Sequence, residues 1–237
     1  MIKVIIAAAG KGTRSKLNYP KTLFKIEGVP ILIRLLKATW HIDSEPIIIV
    51  SEEGRKPIGE VIEEFGFSSR ILVQKNQLGM GDAVLQSTKY RNIKEIENSL
   101  LLWGDLPFIK KRTLNKLLDL HIKDNSDFSF PTLVSPDPYT LVKRDIDQRV
   151  VDLIELKNSS RKQPSEGERD IGVFLYKTEL ILDLLKSIKK GQGRRTEVGF
   201  LNLVEILFKK GSNVNGYKIA TKREALSFNS KDDLLNF

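Results

Sequence analysis

Residues 7–14 read Ala-Ala-Ala-Gly-Lys-Gly-Thr-Arg, and Pro20 and Lys21 follow a short distance later. This stretch comes directly after residues 2–6, an apolar run that predicts a buried strand. A strand that ends in small residues and glycine presents bare backbone N–H groups at one point, where a phosphate can approach closely. Arg14 and Lys21 add two positive charges beside the same loop. The stretch therefore predicts a binding site for a polyphosphate at the end of the first strand.

Two common phosphate-binding motifs do not fit this loop. The dinucleotide fingerprint needs a third glycine where this chain has Ser15. The Walker motif needs Gly-Lys-Ser/Thr at the end of the loop, and no such ending is present. The remaining alternative is an ordinary strand-to-helix turn with solvated charges. The register of Thr13-Arg14 with Pro20-Lys21 argues against it.

Composition places the chain among ordinary globular proteins. It has 237 residues, of which 41% are hydrophobic and 29% charged. No uninterrupted apolar stretch reaches the roughly 18 residues of a membrane span, and the N-terminus lacks the regions of a signal peptide. The absence of cysteine excludes disulfides and thiol chemistry. His41 and His121 lack neighbouring ligands and are not expected to be catalytic. We expect a cytoplasmic protein with no membrane partner.

The net charge of +9 is also compatible with binding to nucleic acid. The lysines are nevertheless spread along the whole chain, and several pairs lie near predicted helix ends, where cations suit the helix dipole. No motif that reads DNA or RNA accompanies them. We therefore expect nucleotides and sugar phosphates, rather than nucleic acid, to account for part of this charge.

The first half of the chain alternates between predicted strands and helices. The predicted strands cover residues 4–7, 46–50, 70–73 and 99–103. The predicted helices cover residues 31–40, 58–65, 83–90 and 113–121. Such alternation predicts an α/β fold with a doubly wound, mostly parallel, Rossmann-like sheet. Because ligands bind beyond the carboxyl ends of the strands in such sheets, the glycine loop and Gly104-Asp105 should lie there together.

The second half is less regular and predicts a smaller, partly antiparallel substrate-binding region. Predicted strands cover residues 128–133, 139–143, 150–156 and 171–176, and predicted helices cover 179–189 and 197–209. Gly211 should cap the last helix, and the polar residues 161–168 should form a mobile loop. We expect a single domain over residues 1–237, with a nucleotide-binding part over about 1–125 and a sugar-binding part over about 126–237.

Two further motifs, together with the first loop, resemble those of a known family. Gln74 precedes Gln-Leu-Gly-Met-Gly-Asp-Ala at residues 77–83, and residues 102–109 read Leu-Trp-Gly-Asp-Leu-Pro-Phe-Ile. In this order and with few insertions, these motifs resemble those of sugar-phosphate nucleotidyltransferases over nearly the whole chain. The similarity is greatest to the N-acetylglucosamine-1-phosphate uridylyltransferases, the pyrophosphorylase domain of a bifunctional uridylyl/acetyltransferase. The acetyltransferase half of that protein has no counterpart in this sequence.

The resemblance implies a reaction in which a sugar-1-phosphate oxygen attacks the α-phosphorus of a nucleoside triphosphate and expels pyrophosphate. It implies catalytic roles for Arg14, at the leaving pyrophosphate, and for Lys21, near the α-phosphate. It also implies Mg²⁺ as cofactor, held by the hard oxygen ligands of Asp105 and Asn229. Either residue could instead be a helix cap. Asp105 could cap the helix that follows Pro107, and Asn229 could cap a helix that follows Asn229 itself.

The resemblance also places a set of mostly small residues around the nucleotide. They are Ala8, Ala9, Gly10, Gly12, Thr13, Gln74, Gly79, Met80, Gly81 and Gly104. Gln74 offers an amide that both donates and accepts hydrogen bonds, which suits the imide edge of uracil and favours UTP. A cytidylyltransferase that uses CTP remains the alternative, because such enzymes share a similar glycine loop and Pro-Lys.

Sugar contacts are implied for Trp103, Thr140, Glu155 and Asp170. Thr140 stands where the family has a glycine, and Asp170 replaces an asparagine, so that an acceptor-only group stands where an amide normally donates. These departures argue against N-acetylglucosamine. They leave a different hexose-1-phosphate, or another phosphorylated alcohol, as alternative acceptors.

Two more departures lie in the second glycine motif, where Met80 replaces a threonine and Asp82 a histidine. The residues implied in the transfer step, Arg14, Lys21 and Asp105, are retained. Their retention argues against the further alternative of a non-catalytic, regulatory nucleotide-binding protein.

Overall fold

The computed structural model describes residues 1–10, 17–156, 164–192 and 199–229, together with residue 233. Its strands are β1 Ile2–Ala8, β2 Lys25–Ile26, β3 Val29–Pro30, β4 Ile47–Val50, β5 Arg70–Val73, β6 Asn98–Trp103, β7 Phe128–Pro136, β8 Thr140–Arg144, β9 Val150–Glu155, β10 Glu166–Asp170, β11 Val173–Lys177 and β12 Val214–Tyr217. Its α-helices are α1 Ile31–Thr39, α2 Arg55–Glu64, α3 Gly79–Gln86, α4 Lys111–Lys123, α5 Thr178–Gln192 and α6 Leu203–Lys209. Single 3₁₀ turns lie at Lys21–Leu23, Ser87–Lys89 and Ile93–Glu95. Among these described helices, none combines the length and the apolar character needed to cross a membrane.

Within the described residues, eight strands form one sheet in the order β10-β7-β11-β6-β1-β4-β5, with β12 beside β7. β1 pairs in parallel with β4 and β6, and β4 pairs in parallel with β5. On the other side, β11 runs antiparallel to β6 and β7, and β10 runs antiparallel to β7. The hairpins β2–β3 and β8–β9 form two small separate sheets. The predicted α/β class is confirmed, with parallel pairing among β1, β4, β5 and β6 of the first half and mainly antiparallel pairing in the second, where only β12 runs parallel to β7 among the described strands.

Helices cover both faces of the sheet because β1 is apolar on both sides. Ile5 belongs to an apolar cluster with Phe174 and residues of α3 and α5. Val4 and Ile6 point to the opposite face, since successive side chains of a strand alternate, and they share a cluster with residues of α1 and α4. The side chains of Val4, Ile5 and Ile6 are each at most 1% exposed. A continuous apolar strand of this kind is what a sheet buried on both faces requires.

Most predicted elements are present, with shifted ends. α3 begins at Gly79, earlier than the predicted helix over 83–90, because Gly79 adopts φ +82° and turns the chain into the helix. Gly211 adopts φ +76° after α6, as the predicted cap requires. α6 itself begins at Leu203, and part of the predicted helix over 197–209 lies outside the described residues.

Two strands of the main sheet, β10 and β12, are not predicted from the sequence pattern, and neither is the small β2–β3 hairpin. Residues 161–168 are expected to form a mobile loop, but they include the start of β10; residues 161–163 lie outside the described part. The polar composition of β10 indicates a loop, but Glu168 accepts two hydrogen bonds from the Arg144 guanidinium, at 2.9 and 2.7 Å, in the interior of this half. β12 pairs with β7, from which it is distant in sequence, so that no local pattern predicts it.

Candidate active site

A cavity of about 530 Å³ opens at the carboxyl ends of β1, β5 and β6. It is lined by Ala7, Ala8, Ala9, Gly10, Lys21, Thr22, Gln74, Gln77, Gly79, Met80, Ala83, Trp103, Gly104 and Asp105. A second cavity, of about 900 Å³, adjoins it and shares Ala8, Gly10, Gln74 and Gln77 with it. Ligand sites of open α/β sheets lie at this edge. The first cavity is therefore the candidate site, and it brings the glycine loop and Gly104-Asp105 together.

Gly104 allows β1 and β6 to approach closely at the cavity. Its N–H donates to the carbonyl oxygen of Ala7 at 2.9 Å. A Cβ atom at this position would lie 2.7 Å from the same oxygen, and 3.2 Å from the Cα of Ala8. Because both neighbours are backbone atoms, a larger residue would displace the strand that carries the loop.

Lys21 and Asp105 come from distant segments and meet at the cavity wall. Lys21 opens a 3₁₀ turn directly after Pro20, and Asp105 follows the end of β6. Lys21 Nζ lies 2.5 Å from Asp105 Oδ2, and the two side chains are 21% and 12% exposed. The ion pair holds both charges at the cavity, where a phosphate can compete with the carboxylate for the ammonium group.

The second oxygen of Asp105 is suited to a metal ion. Oδ1 is buried and has no hydrogen-bond partner among the described residues, an arrangement that calls for an explanation in a folded protein. The N–H of Phe228 donates to the carbonyl oxygen of Asp105 at 2.9 Å, which brings Asn229 close to the same strand end. The described residues contain no metal-binding cluster of three or more His, Cys, Asp or Glu. Asp105 and Asn229 alone would leave most ligand positions to phosphate oxygens and water, as Mg²⁺ prefers.

The alternative role of Asp105 as a helix cap does not fit its position. α4 begins only at Lys111, and its N-terminus has no side-chain cap. The N–H of Lys110 donates instead to the carboxylate of Glu224 at 3.1 Å. Asn229 donates its backbone N–H to the Asp233 carboxylate at 2.6 Å.

Gln74 ties the end of β5 to the first turn of α3. Its side-chain nitrogen donates to the carbonyl oxygen of Gly79 at 3.1 Å and to Asp82 Oδ2 at 2.9 Å. Gly79 and Met80 line the cavity, whereas Gly81 is buried within the same turn and does not line it.

Among the residues expected at the sugar, Trp103 lines the cavity and the other three do not. Thr140 and Asp170 are fully buried, and Thr140 Oγ1 donates to Asp170 Oδ1 at 2.5 Å. Asp170 Oδ2 accepts from the N–H of Gly172 at 2.7 Å, so that both carboxyl oxygens are occupied within the protein. Burial raises the pKa of the Asp170 carboxyl. Glu155 is exposed and pairs with Thr140 across the β8–β9 hairpin.

The contacts of Asp170 position Trp103. The backbone N–H of Trp103 donates to the carbonyl oxygen of Gly172 at 2.9 Å, and a Cβ on Gly172 would lie 3.0 Å from the indole ring of Trp103. Gly172 adopts φ +75°, a conformation that favours glycine. Asp170 therefore stabilises the turn on which the indole packs, and it lies behind the cavity wall instead of on it.

Some residues expected at the site lie outside the described part of the chain, and some residues that line the cavity were not expected from the sequence. Gly12, Thr13 and Arg14 of the first loop lie outside the described residues. Thr22 and Gln77 line the cavity but were not expected there. Thr22 directly follows Pro20-Lys21, and Gln77 is the first residue of the second glycine motif, so that their place in or beside a recognised motif is the signal that could have found them.

The chain matches known proteins along most of its length. A family model described as a MobA-like NTP transferase domain matches residues 4–195. The bifunctional protein GlmU of Caldanaerobacter subterraneus subsp. tengcongensis is 30% identical over 234 residues, which cover 98% of this chain and 50% of that protein. GlmU of Streptococcus uberis is 27% identical over 230 residues, which cover 96% and 49%. The chain spans about half the length of the curated relatives it matches.

A solved structure shows the same fold. It is that of a protein assigned as a glucose-1-phosphate thymidylyltransferase from Bacillus anthracis, in complex with sucrose. The TM-score is 0.79 at 15% sequence identity, with 100% of this chain and 93% of that chain covered. The family match confirms the resemblance to nucleotidyltransferases seen in the loop motifs, and the chain belongs to the MobA-like NTP transferase family.

Proposed function

We propose that this chain condenses UTP with a sugar-1-phosphate to give a UDP-sugar and pyrophosphate, with Mg²⁺ as cofactor. The observation that carries the proposal is the Lys21–Asp105 pair, placed on the wall of a cavity that the glycine loop also lines. Membership of the NTP transferase family supports a nucleoside triphosphate as the donor. The preference for UTP is supported by the side-chain oxygen of Gln74, which lines the same cavity, whereas the amide nitrogen expected to donate to the base is bonded to Gly79 and Asp82.

The acceptor is assigned from the similarity to known proteins and from the wall of the cavity. The structural neighbour described as a glucose-1-phosphate thymidylyltransferase supports a sugar-1-phosphate. Trp103 offers an indole ring against which the apolar face of a sugar can pack. Because Thr140 and Asp170 are buried behind this ring, the choice between sugars would depend on residues of the wall itself, such as Met80.

The transfer makes one phosphorus–oxygen bond and breaks another. An oxygen of the sugar phosphate attacks the α-phosphorus of UTP, and the bond from this phosphorus to the oxygen that bridges to the β-phosphate breaks, which releases pyrophosphate. Both reacting groups are anionic, so that neutralising and aligning them contributes more than acid or base catalysis. Lys21 would hold the α-phosphate, and the backbone N–H groups at Ala9 and Gly10 would face the phosphates. Arg14 is proposed to bind the leaving pyrophosphate.

Mg²⁺ fits the donor set at the end of β6. Asp105 Oδ1, buried and without a partner among the described residues, and the side-chain oxygen of Asn229 would be its protein ligands. When bound, the ion neutralises and orients the phosphate oxygens. Asp105 would then divide its two oxygens between the metal and Lys21.

The test is pyrophosphate release with Mg²⁺ over a grid of four nucleoside triphosphates and a panel of sugar-1-phosphates. We expect release in the UTP row, with one sugar preferred. Release in the CTP row alone would replace the proposal by a cytidylyltransferase. No release in any combination, with nucleotide binding still detected by calorimetry, would overturn it in favour of a non-catalytic nucleotide-binding protein.

A further inference from the structure

We propose that Asp82, held by Lys189, determines the base selectivity of the nucleotide site by fixing the orientation of the Gln74 side-chain amide. This role rests on the proposed binding of a nucleoside triphosphate in the cavity. The site then selects the pyrimidine bases that carry a hydrogen on N3, uracil and thymine, over cytosine, which carries none there.

The orientation of the Gln74 amide follows from the chemistry of its partners. Gln74 is only 3% exposed, and its nitrogen lies 3.1 Å from the carbonyl oxygen of Gly79 and 2.9 Å from Asp82 Oδ2. A carbonyl and a carboxylate can only accept hydrogen bonds, so that the amide nitrogen must be the group that faces them. Both amide hydrogens are then engaged. The amide oxygen is the remaining polar atom of a side chain that lines the cavity.

Asp82 is itself held in place by donors. Lys189 Nζ, from α5, lies 2.5 Å from Oδ1, and the side-chain nitrogen of Gln86 lies 3.2 Å from Oδ2. Asp82 is 3% exposed and Lys189 retains a side-chain exposure of 36%. A buried carboxylate paired with an ammonium group remains an acceptor, and it has no donor with which to bind the oxygen of Gln74. The ion pair therefore opposes the flipped amide, as the Gly79 carbonyl also does.

An amide locked in this way presents only an acceptor to the base. Uracil and thymine carry a donor, N3–H, at the centre of the base edge, whereas cytosine carries an unprotonated acceptor nitrogen at the same place. The oxygen of Gln74 can bind the former and would face a lone pair of the latter. A glutamine free to flip would serve both bases. The selectivity thus depends on Asp82 and Lys189, together with the Gly79 carbonyl, although neither of the two side chains needs to touch the nucleotide.

The decisive experiment compares kcat/KM for UTP and CTP in the wild type and in Asp82→Asn. A flipped Gln74 amide loses its hydrogen bond to the Gly79 carbonyl, but an asparagine at 82 can donate to its oxygen in exchange, so that the NH₂ group can face the base. We expect the UTP-to-CTP ratio to fall about tenfold or more, the equivalent of one hydrogen bond. The change should arise mainly in KM, since the chemical step lies at other residues. Lys189→Gln keeps the carboxylate but loses its anchor, and should shift the ratio in the same direction by less.

Lys94→Gln is the matched control, because Lys94 pairs with Glu179 and Asp183 on the same helix α5 but does not contact Asp82. It should leave the ratio at the wild-type value. A folded Asp82→Asn protein with an unchanged ratio, or a wild type that prefers CTP, would overturn the inference. If the wild type transfers no nucleotide at all, the proposed function fails on its own. The ratio of the Kd values for UTP and CTP, followed by the fluorescence of Trp103 in the cavity, then tests the lock in the same two variants.

Discussion

At the scale of single residues, the site depends on the ion pair between Lys21 and Asp105. The pair joins a loop near the N-terminus to the end of β6, and its ammonium group lies 2.5 Å from Asp105 Oδ2. Both charges are partly shielded from water, with exposures of 21% and 12%. Charged groups placed before the substrate arrives lower the cost of organising the transition state. Lys21 is therefore the residue whose loss should affect turnover far more than folding.

Lys21→Ala should lower kcat/KM for pyrophosphate release by about 100-fold or more. The thermal midpoint should change by only a few degrees, because the side chain packs little apolar surface. Lys25→Ala is the matched control, since Lys25 is an exposed lysine of the adjoining strand β2. It should retain full activity. Near-normal turnover in Lys21→Ala would remove this lysine from the mechanism.

At the scale of elements, the cavity depends on how closely β1 and β6 approach. Their parallel register pairs Ala7 with Trp103, directly before the glycine loop and Gly104. The position of the loop therefore depends on the backbone of the neighbouring strand end as well as on its own glycines.

Gly104→Ala should lower the free energy of unfolding by about 1–3 kcal/mol, because its Cβ would lie 2.7 Å from a backbone oxygen that cannot move alone. Gly191→Ala in α5 is the control, since a Cβ there meets no atom of the described residues within 4 Å. It should leave stability unchanged or slightly raised, as expected for alanine in a helix. Urea denaturation of both variants provides the measurement. Equal stability of the two would show that the strands can separate without cost.

At the scale of the whole molecule, a buried histidine links the packing of α4 on the sheet to pH. His121 is 3% exposed, and its ring nitrogens lie 2.7 Å from Ser129 Oγ and 3.2 Å from Asn98 Oδ1. Burial lowers the pKa of His121 from 6.5 to about 4. As pH falls below 6.5, His121 therefore binds a proton in the unfolded chain, whereas in the folded protein it stays unprotonated until the pH approaches 4. Folding stability should decline between pH 6.5 and 4 on this account and level off below.

His121→Gln keeps side-chain hydrogen bonding but removes this titration. The loss of stability between pH 7 and pH 5 should be smaller in the variant than in the wild type, by at most about 2 kcal/mol. Urea denaturation at the two pH values measures both losses. If the wild type and the variant lose the same stability, His121 does not carry this pH dependence.

The sequence by itself determined the α/β class, the glycine loop at the end of β1, and the meeting of this loop with Gly104-Asp105. Each follows from short-range rules: the period of apolar residues, the freedom of glycine, and the fact that parallel strands end at one edge. These rules depend on neighbours in the chain, and they were sufficient to predict where the candidate cavity lies.

Only the tertiary structure decided what surrounds the polar side chains. Asp170 is an expected sugar ligand in the sequence, yet it is fully buried and bonded to Thr140 and Gly172. Asp82 acquires its partner Lys189 from 107 residues away. The polar sequence of β10 predicts a loop, because Arg144, which pairs with Glu168 of β10, comes from the distant β8–β9 hairpin. The physical reason is common to all three: whether a polar group faces water, a ligand or an ion-pair partner depends on long-range packing, which no local pattern encodes.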